Sequence, residues 1–207
     1  MELSVSILNS KSKREIINLL NKTKISYIHL DVMDGNFVSQ KSLSIEEIKT
    51  LSALSKKKLD IHLMVDNPLE YIEQIGKLSN IEYITVHLEI NKEIKNILSQ
   101  IKAYGYKCGL SIKPKTNLRA LLPYLEDLDL ILLMTVEPGL GGQPFIETSP
   151  ERLKRLKKMV GDNIKIEVDG GINNLTINKV SDADIAVVGS YITTSDNPLT
   201  KIDSLLV

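Results

Sequence analysis

The sequence predicts a (β/α)8 barrel, a closed ring of eight parallel strands with helices packed around it. Three observations predict this class. Short runs rich in Ile, Val and Leu alternate with segments of helical spacing along the chain. The alternation repeats eight times, which is typical of parallel βαβ units. The length of 207 residues lies at the compact end of the range for such barrels, so residues 1–207 are expected to form a single barrel domain.

The predicted strands are short apolar runs, as expected for parallel strands that are covered on both faces. Each run contains five to seven residues and ends near a polar residue, a glycine or a proline. In chain order the predicted strands are Leu3–Ile7, Tyr27–Met33, Leu59–Val65, Tyr83–Leu88, Lys107–Ile112, Leu130–Val136, Lys165–Asp169 and Ile185–Gly189.

The segments between the strands show helical periodicity. The first has an apolar face at positions 16, 17, 19 and 20, and the fourth has one at positions 94, 97, 98 and 101. Asn67-Pro68 and Ser149-Pro150 each place a capping residue before a proline, which favours a helix start. The other predicted helices are Ser44–Leu54, Pro68–Leu78, Leu118–Leu125, Pro150–Val160, Leu175–Val180 and Pro198–Leu206.

An open, doubly wound sheet is the alternative fold. It would require a glycine-rich turn after the first strand. The segment from Ile7 to Arg14 contains no glycine, which favours the barrel.

The composition excludes several classes of function. Lys plus Arg and Asp plus Glu both total 26, so the net charge of zero argues against a nucleic-acid-binding protein. A single cysteine, Cys108, excludes an internal disulfide framework and a cysteine-based zinc module. The start of the chain does not resemble a signal peptide, and no apolar run is long enough to span a membrane. We therefore expect a cytoplasmic protein with no membrane partner.

Polar side chains occupy alternate positions near the carboxyl ends of four predicted strands. Because side chains alternate between the two faces of a strand, the apolar set should face the helices and the polar set the barrel interior. Active sites of these barrels lie at this end of the ring. The polar residues predicted to lie inside are His29, Asp31, Asp60, His62, Thr85, His87, Glu89, Glu167 and Asp169.

The histidines and two of the aspartates are candidates for a divalent-metal site. A buried carboxylate is unfavourable unless it is paired, hydrogen-bonded or bound to a metal. Imidazole and carboxylate groups are common ligands of zinc and similar ions. We predict a site made by His29, Asp31, His62 and Asp169, with hydrogen-bonded core residues as the alternative. His87 is expected to orient other ligands rather than to bind the metal.

Glycines are concentrated in the loops that follow the last three predicted strands. Such loops can present backbone N–H groups to an anion, and phosphate sites in these barrels often form there. Tight turns are the alternative explanation. The glycines are Gly139, Gly141 and Gly142, then Gly170 and Gly171, then Gly189 with Ser190 beside it.

Taken together, these motifs resemble the ribulose-phosphate 3-epimerase family. They run in that family's order from the first strand to the last. The motifs are Ser6-Ile7-Leu8, His29-Leu30-Asp31-Val32-Met33-Asp34-Gly35 with Phe37-Val38, Asp60-Ile61-His62-Leu63-Met64-Val65, Met134 to Phe145 with Pro138-Gly139 and Gly141-Gly142-Gln143, Glu167-Val168-Asp169-Gly170-Gly171-Ile172, and Gly189-Ser190.

The resemblance implies a barrel enzyme that interconverts D-ribulose 5-phosphate and D-xylulose 5-phosphate with one divalent metal ion. His29, Asp31, His62 and Asp169 would be the ligands, and zinc suits them, as do iron, manganese and cobalt. Asp31 and Asp169 would also be the acid and base that move a proton at C3 through an enediolate. The resemblance further implies a homo-oligomer.

Other residues acquire implied roles from the same resemblance. An apolar cap over the substrate would consist of Met33, Met64 and Met134, for which core filling is the alternative. Ser6 and His62 would contact the substrate. The phosphate would be bound by Gly141, Gly142, Gly171, Gly189 and Ser190.

The sequence also departs from the family pattern. Ser39-Gln40 replaces the usual Pro-Asn, and Leu140 stands where an aromatic residue is common. An allulose 6-phosphate epimerase is an alternative, because it shares the metal motifs, and a non-catalytic barrel that binds a sugar phosphate is another. Orotidine-phosphate decarboxylases need an Asp-x-Lys-x-x-Asp array, whereas the corresponding segment, Asp31 to Asp34, contains no lysine.

Overall fold

The computed structural model describes residues 1–206, and their strands close into a barrel. Eight parallel strands follow one another around the ring, and the eighth pairs with the first. All eight predicted strands are confirmed, with ends that differ by at most two residues. The strands are β1 Glu2–Ser6, β2 Tyr27–Met33, β3 Lys58–Met64, β4 Ile81–His87, β5 Lys107–Ile112, β6 Leu130–Met134, β7 Lys165–Asp169 and β8 Ile185–Val188.

Helices connect the strands and cover the outside of the ring. The α-helices are α1 Lys13–Leu20, α2 Ile45–Leu54, α3 Pro68–Ile75, α4 Ile94–Ala103, α5 Ser149–Val160, α6 Ser190–Thr193 and α7 Pro198–Asp203. Two connections are 3-10 helices, Leu118–Asp127 between β5 and β6 and Ile177–Val180 between β7 and β8.

Local sequence explains where several helices begin and end. Ser44 caps α2, since its side chain accepts from the N–H of Glu47 while the Glu47 carboxylate accepts from the N–H of Ser44. Helix α3 ends at Ile75, three residues earlier than predicted, because Gly76 adopts a φ of +64°.

Besides α3 and α7, which both end three residues earlier than predicted, three helical segments differ from the prediction. Leu118–Asp127 is a 3-10 helix that contains Pro123, whose missing N–H and fixed ring are incompatible with an α-helical interior. The segment predicted over Leu175–Val180 is helical only from Ile177. The four-residue helix α6 was not predicted, because it is too short to show a periodicity.

The apolar core forms two layers separated by the sheet. The outer layer packs the helices against one face of each strand, and on β2 it contains Ile28, Leu30 and Val32, all fully buried. An inner cluster includes Tyr27, Tyr83, Leu130, Leu132 and Ile185. The predicted division of β2 between apolar and polar faces is therefore correct.

The polar residues of the interior are buried beside this inner cluster. His29, His62, His87, Thr85 and Glu167 are all 0% exposed. No helix within residues 1–206 combines the length and the apolarity needed to cross a bilayer.

Candidate active site

Three strands, β2, β3 and β7, bring the predicted ligand residues together at the carboxyl end of the ring. The register between β2 and β3 places Asp31 beside His62. The register between β6 and β7 places Met134 beside Asp169. Parallel strands that end at the same rim thus direct residues distant in sequence toward one point.

Four of these residues present ligand atoms to a common space. One atom from each of His29, Asp31, His62 and Asp169 lies within 4.8 Å of the others. The Asp31 Oδ1 atom lies 3.5 Å from His29 Nε2 and 3.6 Å from His62 Nδ1. The distance from His62 Nδ1 to Asp169 Oδ2 is 3.9 Å. This is the set that the sequence predicts as metal ligands.

Two ring nitrogens in this space are buried without a hydrogen-bond partner among residues 1–206. They are His29 Nε2 and His62 Nδ1. A buried polar atom without a partner is unfavourable by about 1–3 kcal/mol. Two such atoms facing two carboxylates are explained by a cation between them, so the donor set fits a divalent metal ion.

The opposite nitrogen of each histidine is engaged deeper in the barrel. His29 Nδ1 lies 2.6 Å from Asp60 Oδ2, which also accepts a hydrogen bond of 2.9 Å from the Ser4 hydroxyl. His62 Nε2 lies 2.8 Å from His87 Nε2. Each ring is therefore oriented from behind, as is common for metal-binding histidines.

The two aspartates have opposite electrostatic environments. Burial alone would raise the pKa of Asp31, but His29 and His62 outweigh it and hold that pKa well below its usual range. Burial and the charge of Asp31 raise the pKa of Asp169 to about 6. The Ser6 hydroxyl donates to Asp31 Oδ2 at 2.6 Å, which also favours the ionised form. The pair thus combines a persistent carboxylate with a carboxyl group that titrates near neutrality.

The remaining interior groups show the same sensitivity to burial and charge. Burial alone would lower the pKa of His29, but Asp60 and Asp31 raise it well above its usual range. Burial, followed by the charge of Asp60, raises the pKa of Glu167 well above its usual range. Burial lowers the pKa of His87 to about 4, although its hydrogen bond to Glu89 opposes that shift. The interior therefore favours positive charge around Asp31 and Asp60 and disfavours ionisation of Glu167.

A cavity of about 540 Å³ opens above the four-residue set. Asp31, Asp169 and Ser6 line it, whereas His29 and His62 lie beneath its surface. All three methionines predicted as a cap line this cavity. Met33 and Met64 pack with Val38 in one cluster, while Met134 belongs to the inner barrel cluster.

The predicted phosphate-binding residues line the same cavity. They are Gly141, Gly142, Gly171, Gly189 and Ser190. Gly171 has a φ of +68°, and a Cβ there would lie 2.5 Å from the backbone nitrogen of Phe145, so no other residue fits without movement.

Asn9 also lines this part of the cavity, although the sequence did not predict a role for it. Its Nδ2 donates to the Ser190 hydroxyl at 2.9 Å, and its side chain fills the space where a Cβ of Gly141 would lie. Its position directly after the Ser6-Ile7-Leu8 motif was the available signal. Asp60 was placed inside by the sequence but received no role, since its contact with His29 appears only in three dimensions.

Comparison with known proteins identifies the family. The model of the Ribulose-phosphate 3 epimerase family matches residues 2–193. The ribulose-phosphate 3-epimerase of Aquifex aeolicus is 40% identical over 170 residues, which cover 80% of this chain and 76% of that protein. The one from Helicobacter pylori is 30% identical over 210 residues, which cover 99% of this chain and 96% of that protein.

Solved structures share the fold at lower identity. KGPDC from Streptococcus mutans superposes with a TM-score of 0.73 at 13% identity, covering 99% of this chain and 94% of that one. The 3-hexulose-6-phosphate synthase of Salmonella typhimurium gives 0.70 at 18% identity, covering 99% and 96%. These likenesses support the barrel, while the family match rests on the sequence relatives. The chain therefore belongs to the ribulose-phosphate 3-epimerase family of enzymes.

Proposed function

We propose that this chain interconverts D-ribulose 5-phosphate and D-xylulose 5-phosphate with the help of one divalent metal ion. The observation that carries the proposal is the convergence of four ligand atoms within 4.8 Å, two of them from carboxylates that line the cavity. The family relatives are named for this epimerisation.

His29 Nε2, His62 Nδ1 and the carboxylates of Asp31 and Asp169 would hold the ion. Two carboxylates and two neutral imidazoles carry a combined charge of −2, which balances a divalent cation. When bound, the ion supplies a Lewis acid that stabilises negative charge on the substrate's oxygens. Nitrogen and oxygen ligands of this kind suit zinc best, and also iron, manganese or cobalt.

Asp31 and Asp169 would carry out the proton transfer. Inversion at C3 requires a proton to leave one face of the carbon and another to arrive at the opposite face, so two groups are needed. Asp31 stays ionised and can accept the proton. Asp169 lines the same cavity and is the second carboxyl group, so the two aspartates can exchange the roles of acid and base in the reverse direction.

The glycine loops would hold the phosphate, and the methionines would limit access of water. Backbone N–H groups of Gly141, Gly142, Gly171 and Gly189 can bind an anion without a basic patch. This agrees with the zero net charge of the chain. Met33, Met64 and Met134 would cover the enediolate with flexible apolar side chains. The homo-oligomer and the cytoplasmic location stay predictions.

Hydrogen exchange at C3 tests the proposal directly. The metal-loaded enzyme should exchange the C3 proton of ribulose 5-phosphate with solvent deuterium and should turn over this substrate faster than allulose 6-phosphate. Asp31→Asn and Asp169→Asn should each slow epimerisation by about 10²–10⁴-fold. Each variant should retain exchange with one epimer at most, because one carboxylate remains. Absence of exchange in the wild type, or a near-normal rate for Asp169→Asn, would refute the proposal.

A further inference from the structure

We propose that His87 and Glu89 are positioning residues that fix which nitrogen of His62 carries its proton, so that Nδ1 presents a lone pair to the metal. The inference rests on the metal site of the proposed function. It concerns two residues that the acid–base chemistry does not use.

A continuous row of contacts connects Glu89 to the metal site. Glu89 Oε2 lies 3.1 Å from His87 Nδ1, and His87 Nε2 lies 2.8 Å from His62 Nε2. His62 and His87 are fully buried, so water cannot replace these partners. The far nitrogen of the row, His62 Nδ1, has no hydrogen-bond partner among the described residues.

Only one arrangement of protons satisfies this row while leaving Nδ1 free for a metal. An ionised carboxylate can only accept, so His87 Nδ1 must carry a proton and donate to Glu89. A neutral His87 then has an acceptor at Nε2, and His62 Nε2 must supply the proton between them. His62 is left with a lone pair at Nδ1, which faces Asp31 and Asp169.

Glu89 is itself held as an acceptor from the other side. Its Oε1 atom accepts a hydrogen bond of 2.7 Å from the backbone N–H of Lys113 and another from the Thr116 hydroxyl. The Arg152 guanidinium in turn donates to the backbone carbonyls of Lys113 and Thr116. Two donors thus reach Oε1 of Glu89, which favours a carboxylate at this position and leaves Oε2 to accept from His87.

The ring of His87 is also fixed in its plane. The Phe37 ring packs against it with a centroid separation of 4.7 Å. Lys113, which directly follows β5, places its Nζ atom 4.2 Å from the centroid of the Phe37 ring. The packing therefore hinders a 180° turn of the His87 ring, which would put carbon atoms where Nδ1 and Nε2 now make their contacts.

Glu89→Gln tests the inference because an amide cannot accept at both ends. If its oxygen stays with Lys113, its NH2 group faces His87 Nδ1, and His87 must then accept there and donate from Nε2. That would push the His62 proton to Nδ1 and block the metal. If the amide turns round, its NH2 group faces the Lys113 N–H. The affinity for Zn²⁺, measured by competition with a chromophoric chelator, should therefore fall about 10–100-fold.

Glu82→Gln is the matched control. Glu82 lies on β4, the strand that Glu89 follows, but it binds Lys107 and Lys58 away from the site, so its amide variant should keep the wild-type affinity. Circular dichroism and thermal unfolding establish that both variants are folded. Loss of a residue that orients a metal ligand is expected to weaken metal binding by about 10–100-fold. A Zn²⁺ affinity of Glu89→Gln within about 2-fold of the wild type would therefore overturn the inference.

A second measurement needs no variant. In the zinc-loaded wild type, two-bond ¹H–¹⁵N spectra of the histidine rings should show protons on His62 Nε2 and His87 Nδ1. A proton on His87 Nε2 would overturn the inference. If the wild type does not bind Zn²⁺ at all, the proposed metal site fails. If it binds and Glu89→Gln binds equally well, only the role of His87 and Glu89 fails.

Discussion

Asp169→Asn should stabilise the folded chain at pH 8 when a chelator removes divalent ions, although it should slow epimerisation by about 10²–10⁴-fold. The carboxylates of Asp31 and Asp169 both face His62 Nδ1, at 3.6 and 3.9 Å. Asp31 stays ionised, so a second charge on Asp169 is repelled as well as partly buried. The amide removes that charge and preserves the shape of the side chain.

The expected size follows from the pKa of Asp169, which folding raises from 3.8 to about 6. A group whose pKa rises on folding contributes stability that is complete below the unfolded value and is lost as the pH rises through the folded value. The wild type should therefore lose stability from this group between about pH 4 and pH 6, and Asp169→Asn should not. A shift of roughly two units corresponds to about 3 kcal/mol. The side chain is only 17% exposed, so solvent screening reduces this figure little.

Thermal unfolding in EDTA at pH 4.5 and pH 8 measures the difference. For a chain of this length, about 3 kcal/mol corresponds to roughly 6–12 °C in Tm, and the gap in favour of Asp169→Asn should open as the pH rises. Asp182→Asn, an exposed position, should show no such gap. Saturating Zn²⁺ should reverse the order, because a ligand stabilises the form that binds it. A gap that does not change with pH would refute the reasoning.

Three further predictions concern the metal, the glycine loops and a helix cap. EDTA should abolish epimerisation and added Zn²⁺ or Mn²⁺ should restore it; activity that survives dialysis against the chelator would contradict the metal requirement. Gly171→Ala should destabilise the fold by about 1–3 kcal/mol and raise KM more than it lowers kcat, because its Cβ would meet the Phe145 nitrogen at 2.5 Å. Gly76→Ala, at a similar φ and with only the Glu73 carbonyl oxygen within 4 Å, is the control and should also cost about 1–3 kcal/mol but leave KM unchanged. Ser44→Ala removes the reciprocal cap with Glu47 and should lower stability by about 1 kcal/mol in urea unfolding without changing turnover.

The strands and the location of the candidate site were predictable because both follow from alternation. Side chains on a strand change face at every residue, so a polar residue at every second position identifies the interior face. The carboxyl ends of parallel strands meet at one rim, so residues as far apart as His29 and Asp169 were expected at one place. The structure places their ligand atoms together within 4.8 Å.

The connections were less predictable, because their conformation depends on contacts with the rest of the chain. Over Leu118–Asp127 the apolar spacing is helical, but Pro123 lies inside the segment and disfavours a regular α-helix there. Asn9 reaches Ser190 across 181 residues, and neither residue lies in a periodic segment that would indicate the contact. Such contacts depend on the closure of β8 against β1, which brings the two ends of the chain together.

The choice of ring nitrogen in each histidine shows most clearly where prediction from sequence ends. His29 and His62 are the same residue type on adjacent strands, yet His29 directs Nε2 and His62 directs Nδ1 toward the common space. The strand register explains the difference. It places Asp60 directly beside His29, where the carboxylate holds Nδ1, but it places Thr85 beside His62. The partner of His62 is instead His87, two residues further along β4, which approaches Nε2. Alternation predicts the face on which an imidazole lies, whereas its usable nitrogen depends on the side chain that the neighbouring strand supplies.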